Sequence, residues 1–213
     1  MTKLDAAEPK SLEILESVSA VFAAKGFDGA SMQDLARAAG MSAGNFYRYF
    51  PSKGAIVEAM IEHHIAQVRA EFAKIMTSPN PMQAIAELIR WRIETVDACE
   101  EQIMAEIEAN ASRRTEVSLL LMRMEQEIVR NIVAVFAKVT GHSESAAQER
   151  FAAHARLIFL LVRGVSVRAA SMGGASAEPD RELAALVLKT IRQILDEIAA
   201  SVGEAPEPAN EVS

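Results

Sequence analysis

Apolar residues return at intervals of three and four along almost the whole chain. That is the period of a helix, and no stretch shows the strict alternation of a half-buried strand. The pattern is cut at residues 26–30, 40–42, 51–53, 78–81, 141–143 and 173–179, where glycine, proline and serine gather. It predicts helices near 9–25, 32–39, 43–49, 53–77, 81–99, 101–112, 115–140, 143–171 and 180–201. From Gly203 onward prolines and glutamates replace the apolar period, so residues 202–213 read as a disordered tail. No segment repeats another.

The second and third helices are short and closely linked. Ser31 precedes the second, with Asp34 three residues on, the spacing of an N-cap and its reciprocal partner. Gly40 suits the left-handed residue that ends a helix, and Ser42 caps the next one, only about two turns long. Two short helices joined by a tight glycine turn form a helix-turn-helix. Leu35, Ala36, Ala39, Met41, Phe46 and Phe50 are spaced to form the core beneath that turn.

Composition agrees with an all-helical chain: half of the 213 residues are hydrophobic and about a quarter charged. The net charge of −7 argues against coating nucleic acid along the whole length. Residues 1–56 carry six basic and six acidic side chains, so the remainder holds the entire excess. A local reader of DNA needs only a local basic face, because phosphate contacts are short-range and screened. One cysteine, Cys99, rules out an intrachain disulfide and a cysteine-rich zinc site, as expected in a reducing cytoplasm. Residues 1–10 are polar and mixed in charge, unlike a secretory signal. The most apolar stretch, 157–162, is closed in by Arg156 and Arg163, far short of the ~20 residues of a membrane span.

The run from Ser31 to Lys53, SMQDLARAAGMSAGNFYRYFPSK, resembles the DNA-binding signature of the TetR family of bacterial transcriptional regulators. The preceding helix, ending Phe22-Ala-Ala-Lys-Gly-Phe27, resembles that family's first helix, so the likeness covers about residues 9–57. A recognition helix needs small residues at its start for close approach to the groove, and Ala43 and Gly44 supply them after Ser42. Asn45 can pair bidentately with adenine or meet a phosphate. Tyr47 and Tyr49 carry hydroxyls suited to phosphate oxygens, the work that the resemblance assigns to aromatics there. Arg48 joins that outward set, and Lys53 adds a cation near the DNA backbone. Ser31 and Gln33 open the second helix and can reach the other phosphate wall. Family members often carry a basic residue opening the first helix and another at position 43; Lys10 is available for the first, and Ala43 departs from the second.

The resemblance implies a three-helix DNA-binding domain over 8–56 and a helical ligand-binding and dimerisation domain over 57–201. It also implies a homodimer built on the last two helices. Leu183, Leu186, Val187, Thr190, Ile191, Ile194 and Ile198 form one stripe of the final helix, widened by Leu188 and Leu195. A helix that is apolar over most of its circumference must be covered on two sides. In the helix before it, Leu157, Leu161, Gly164, Val165 and Arg168 share a side, and Gly164 permits close approach.

For an effector site the candidates are polar or bulky residues on apolar faces: His64, Trp91, Arg92, Met104, Met122, Glu125 and His154. A buried charge is costly unless paired, so Arg92 and Glu125 are either partners of each other or line a cavity. A mostly apolar pocket with few polar groups suits a small, greasy effector. No metal or cofactor is expected: His63 and His64 are adjacent and cannot face one site, and no Cys–His cluster exists. No phosphate-cradling glycine loop, nucleophile elbow or His–Glu signature points to an enzyme. The expectation is a repressor that a small molecule releases from a palindromic operator. The alternative is a DNA-bound protein that positions a protein partner without sensing a ligand.

Overall fold

A computed structural model describes residues 9–95, 98–111, 115–173 and 180–202. Among these every regular element is a helix: α1 Pro9–Gly29, α2 Met32–Ala38, α3 Ala43–Tyr49, α4 Lys53–Thr77, α5 Pro81–Glu94, α6 Ala98–Ala111, α7 Thr115–Thr140, α8 Glu144–Gly173 and α9 Arg181–Ala200. The expected tail beyond Val202 and most of the break at 173–179 lie outside the described residues. So do the side chains of Lys10 and Cys99.

Two bounds differ from the periodicity by more than three residues. The first helix runs past residue 25, but Gly26 takes φ 70° and ψ 168°, so residues 27–29 form a separate turn beyond a break. Only glycine adopts that backbone without strain. The fifth helix stops at Glu94 instead of 99, with Thr95 already at φ −117° and ψ 76°. Thr95, Val96 and Asp97 are poor helix formers, and three in a row outweigh the apolar spacing that suggested continuation.

The chain divides into two compact units. The first takes residues 1–67, 96–125 and 166–178. Within it α1 packs on α2 and α6, and α2 on α3. Ile14, Val18, Phe22, Leu35, Phe46, Ile56 and Ile61 are almost fully buried there, joined by Ile103 and Ile107 of α6. On the surface of this unit Arg123 of α7 forms an ion pair with Glu62 of α4.

The second unit takes residues 68–95, 126–165 and 179–213. Its core joins Phe72 and Ile75 of α4, Ile85, Ile89 and Ile93 of α5, Ile132 and Phe136 of α7, Phe151 and Ile158 of α8, and the buried side of α9. Arg69 of α4 reaches Glu127 of α7 at 2.9 Å, and Arg130 meets the same carboxylate at 2.7 Å. Burial pushes the Glu127 carboxyl up, but the two guanidiniums reverse this and hold it below the ordinary glutamate value. The charged stripe of α7 therefore grips α4 once in each unit.

The stripe of α9 resolves into two sides. Val187, Ile191, Ile194, Leu195 and Ile198 are buried in the unit's own core, where α9 packs on α5. Leu186 instead stands 58% exposed and Thr190 faces solvent. On α8, Leu157 and Leu160 are likewise exposed, and nothing lies within 4 Å of where a Cβ on Gly164 would sit.

Candidate nucleic-acid interface

The helix-turn-helix is fixed by local hydrogen bonds. Ser31 Oγ accepts from the Asp34 backbone N–H at 3.1 Å, and the Ser31 N–H donates to Asp34 Oδ2 at 3.1 Å, a complete capping box. The Ser31 hydroxyl also donates to Asp34 Oδ2 at 2.7 Å. Those bonds and Lys25, 3.1 Å away, hold the exposed Asp34 carboxyl at about 2, below its ordinary 3.8.

At the other end of α2, the Met41 N–H donates to Ala36 O and the Gly40 N–H to Arg37 O, with Gly40 at φ 64°. This crossed pair of bonds closes the helix and requires a left-handed residue at position 40. Ser42 then accepts from the Asn45 N–H at 3.4 Å and starts α3.

Phe46 is the only fully buried side chain of α3 among the described residues, and Phe50 follows it into the core, their rings 5.9 Å apart. With about 100° per residue, burying Phe46 turns Gly44 and Arg48 to the centre of the opposite face. Tyr47 and Asn45 flank that centre, and Tyr49 lies nearest the core. Ser31, Gln33, Ser42, Ala43, Gly44, Asn45, Tyr47, Arg48 and Tyr49 are all exposed. The two tyrosines leave 47% and 37% of their surfaces open. Nine of the ten expected contact residues are thus exposed, at the start of α2 and along α3.

Lys53 is the tenth, and it has another engagement. Its ammonium donates to Phe27 O at 2.6 Å, Ala30 O at 3.0 Å and Asp28 O at 3.3 Å, and lies 4.9 Å from the centre of the Phe27 ring. An ammonium has three donors, and all three are directed at the carbonyls that end α1. The side chain is half-buried and caps a helix C-terminus, where a cation is favoured. The expectation of a phosphate contact overlooked these acceptors because they lie 23 to 26 residues away.

The family described as "Bacterial regulatory proteins, tetR family" has a sequence profile that matches residues 14–60, the segment that builds this surface. Over residues 14–60 the chain is similar to the TetR family. It is 23% identical to the HTH-type transcriptional regulator UidR of Escherichia coli strain K12 over 165 residues, 75% of this chain and 81% of UidR. GusR of Salmonella enterica superposes with a TM-score of 0.70 at 24% identity, covering 92% of this chain and all of that one. The transcriptional regulator FadR of Bacillus subtilis, solved in complex with stearoyl-CoA, superposes at 0.61 with 15% identity over 90% of this chain and 98% of FadR. At these identities the two structures establish the shared fold. The curated relatives that match it are transcriptional regulators.

The residues expected at an effector site fall into both units. His64, Met104, Met122 and Glu125 belong to the first, where Met104 is buried, Met122 stands 54% exposed and the other two are half-buried. Trp91, Arg92 and His154 belong to the second. Trp91 lines an open groove of about 460 Å³ between α4 and α5. His154 sits edge-on to Phe151, with its ring Nδ1 buried and without a hydrogen-bond partner among the described residues. His142, in the turn before α8, meets the same Phe151 ring at 5.7 Å and has both nitrogens buried without hydrogen-bond partners among the described residues. Sequence reasoning passed over His142, which no apolar period marks out. Among the described residues no cluster of three or more His, Cys, Asp or Glu is placed to hold a metal ion. No described helix is long and apolar enough to cross a membrane.

Proposed function

We propose that this protein is a homodimeric repressor whose α3 reads a palindromic operator and which a small, largely apolar effector releases. The observation that carries the proposal is the outward face of α3. A capped two-turn helix puts a glycine and an arginine at its centre and an asparagine and a tyrosine beside them, and among the described residues no hydrogen bond or ion pair engages the Asn45, Tyr47 or Arg48 side chain. Small residues allow close approach, Asn45 can specify adenine, and Arg48 and the tyrosines can meet phosphates. Ser31 contributes through the start of α2, its hydroxyl proton being directed at Asp34.

One two-turn helix makes too few base contacts for operator specificity, and twofold proteins read paired half-sites. The exposed Leu157, Leu160 and Leu186 with the open Gly164 form the surface proposed for the second copy. Residues 8–56 act as the reading domain and 57–201 as the sensing and dimerising domain, working in the cytoplasm without cofactor or catalysis. Release follows from linkage: an effector that prefers a DNA-incompetent arrangement of two reading heads must weaken DNA binding. The stearoyl-CoA complex of FadR supports a sensing role for this fold.

Selection of duplexes from a random-sequence pool, followed by mobility-shift titration over a range of salt, tests the proposal. The expected product is a site with twofold symmetry whose affinity falls steeply as salt rises. An enrichment of asymmetric sites, or none at all, would overturn it.

A further inference from the structure

The second unit carries a groove that the DNA-reading surface does not use. One wall is α4, with Glu71, Lys74 and Ile75; the other is α5, with Ala84, Glu87, Leu88 and Trp91. Positions 84, 87, 88 and 91 share one face of a helix, as do 71, 74 and 75. Ile75, Ala84 and Leu88 make the floor apolar, and Trp91 stands at the rim, 54% exposed. At about 460 Å³ the space is of the size that small molecules occupy.

Charge decides which molecules. Lys74 holds Glu71 at 2.8 Å, so those two lining charges cancel. Glu87 accepts only the neutral amide of Gln83 at 2.9 Å and forms no ion pair among the described residues. The groove therefore offers one uncompensated carboxylate one helical turn from an exposed indole. A carboxylate attracts a cation, and an indole face attracts it further through its negative quadrupole. An anion of the same size would meet Glu87 unfavourably, and the only cation in the lining is already taken.

We propose that the α4–α5 groove binds a small apolar cation, with Trp91 stacking on it, Glu87 facing its charge, and Ile75, Ala84 and Leu88 receiving its hydrocarbon. A ligand here would bear on the C-terminal half of α4. The inference rests on the sensing role proposed above for any effect on DNA, while binding itself stands apart from that role.

Trp91 is the only tryptophan of the chain, so its emission reports the groove directly. Tetraphenylphosphonium and tetraphenylborate match in size and shape and differ in sign of charge. Titrated into the full-length protein, the phosphonium should change Trp91 emission saturably and bind at least about tenfold more tightly than the borate, as expected for a unit charge facing a partly screened carboxylate. Glu87→Gln, an exposed position that leaves the fold intact, should abolish most of that preference. A Glu197→Gln control on α9 should leave it unchanged. Equal binding of both ions, no saturable change, or a preference that survives Glu87→Gln would each overturn the proposal. Operator release is measured in parallel: phosphonium binding without release upholds the groove and separates it from the sensing reading. Release by some other compound that leaves Trp91 emission unchanged, in protein that does not bind the phosphonium, upholds the sensing reading and overturns the groove.

Discussion

Removal of the Lys53 ammonium separates two roles that its position allows. Lys53→Ala takes away three hydrogen bonds to the carbonyls of Phe27, Asp28 and Ala30, together with the contact over the Phe27 ring. Hydrogen bonds to charged groups contribute about 1.5–3 kcal/mol each when well enclosed. Here the acceptors at Phe27 and Ala30 are part-buried and that at Asp28 is exposed, so water recovers much of the loss. A cation at a helix C-terminus contributes about 0.3–1 kcal/mol at the surface and up to ~2 kcal/mol when partly buried. Allowing for overlap between these effects, a loss of about 2 kcal/mol is expected. For a chain of this size that lowers the thermal midpoint by about 4–8 °C. Lys53→Arg should recover only part of the loss, because a planar fork cannot aim at three convergent carbonyls. Operator affinity should fall only as far as the reading head loosens, and the salt dependence of binding should keep its slope. A phosphate-contacting lysine gives the opposite result: an unchanged midpoint and a slope shallower by about one contact. That result would refute the capping account.

Three further outcomes follow from the described contacts. Leu160→Asp and Leu186→Asp place charges on exposed positions, so the folded chain should survive while sedimentation shows monomer; each leucine covered in a dimer would contribute about 1.5–3 kcal/mol, and an unchanged dimer would move the interface elsewhere. His142→Phe keeps a ring against Phe151 and removes two unsatisfied nitrogens, so the thermal midpoint should hold or rise by the equivalent of ~1 kcal/mol; a fall of several degrees would show that the imidazole has a partner, such as a buried water. The Asp34 carboxyl is depressed to about 2 from 3.8, so its capping is fully present above the higher value and is lost as pH falls through the lower one. The midpoint difference between the parent and Asp34→Asn should therefore narrow from pH 5 to pH 2, and a constant difference would contradict the assignment.

Local chemistry was readable in the sequence wherever a residue acts on its near neighbours. Ser31 with Asp34, Gly40 and Ser42 set the ends of α2 and α3 where the caps predicted, because capping bonds span only a few residues. Phe46 and Phe50 are buried as the spacing required. Contacts across long separations were not readable. The carbonyls around Lys53, and the grip of Arg69 and Glu127 between α4 and α7, leave no periodic trace. Periodicity also does not say who covers an apolar side. The stripe of α9 looked like a partner surface, yet Val187 and Ile194 are buried within their own unit and Leu186 is the residue left open. Changing Val187 or Ile194 would therefore test folding and not association. His142 escaped notice for a related reason: its ring meets Phe151, nine residues on, and belongs to no stripe.

The reading face of α3 is tested most directly at Gly44. Its backbone is helical, it is exposed, and no atom lies within 4 Å of where a Cβ would sit. Gly44→Glu therefore fits the fold, and removing a helical glycine should hold or raise the thermal midpoint by up to about 1 kcal/mol equivalent. The same change sets a carboxylate at the centre of the surface assigned to DNA, facing a polyanion. Mobility-shift titration of the selected duplex should show affinity lost by about 100-fold or more, as expected for a close like-charge contact costing about 3 kcal/mol. A folded Gly44→Glu protein that binds that duplex as the parent does would contradict the account.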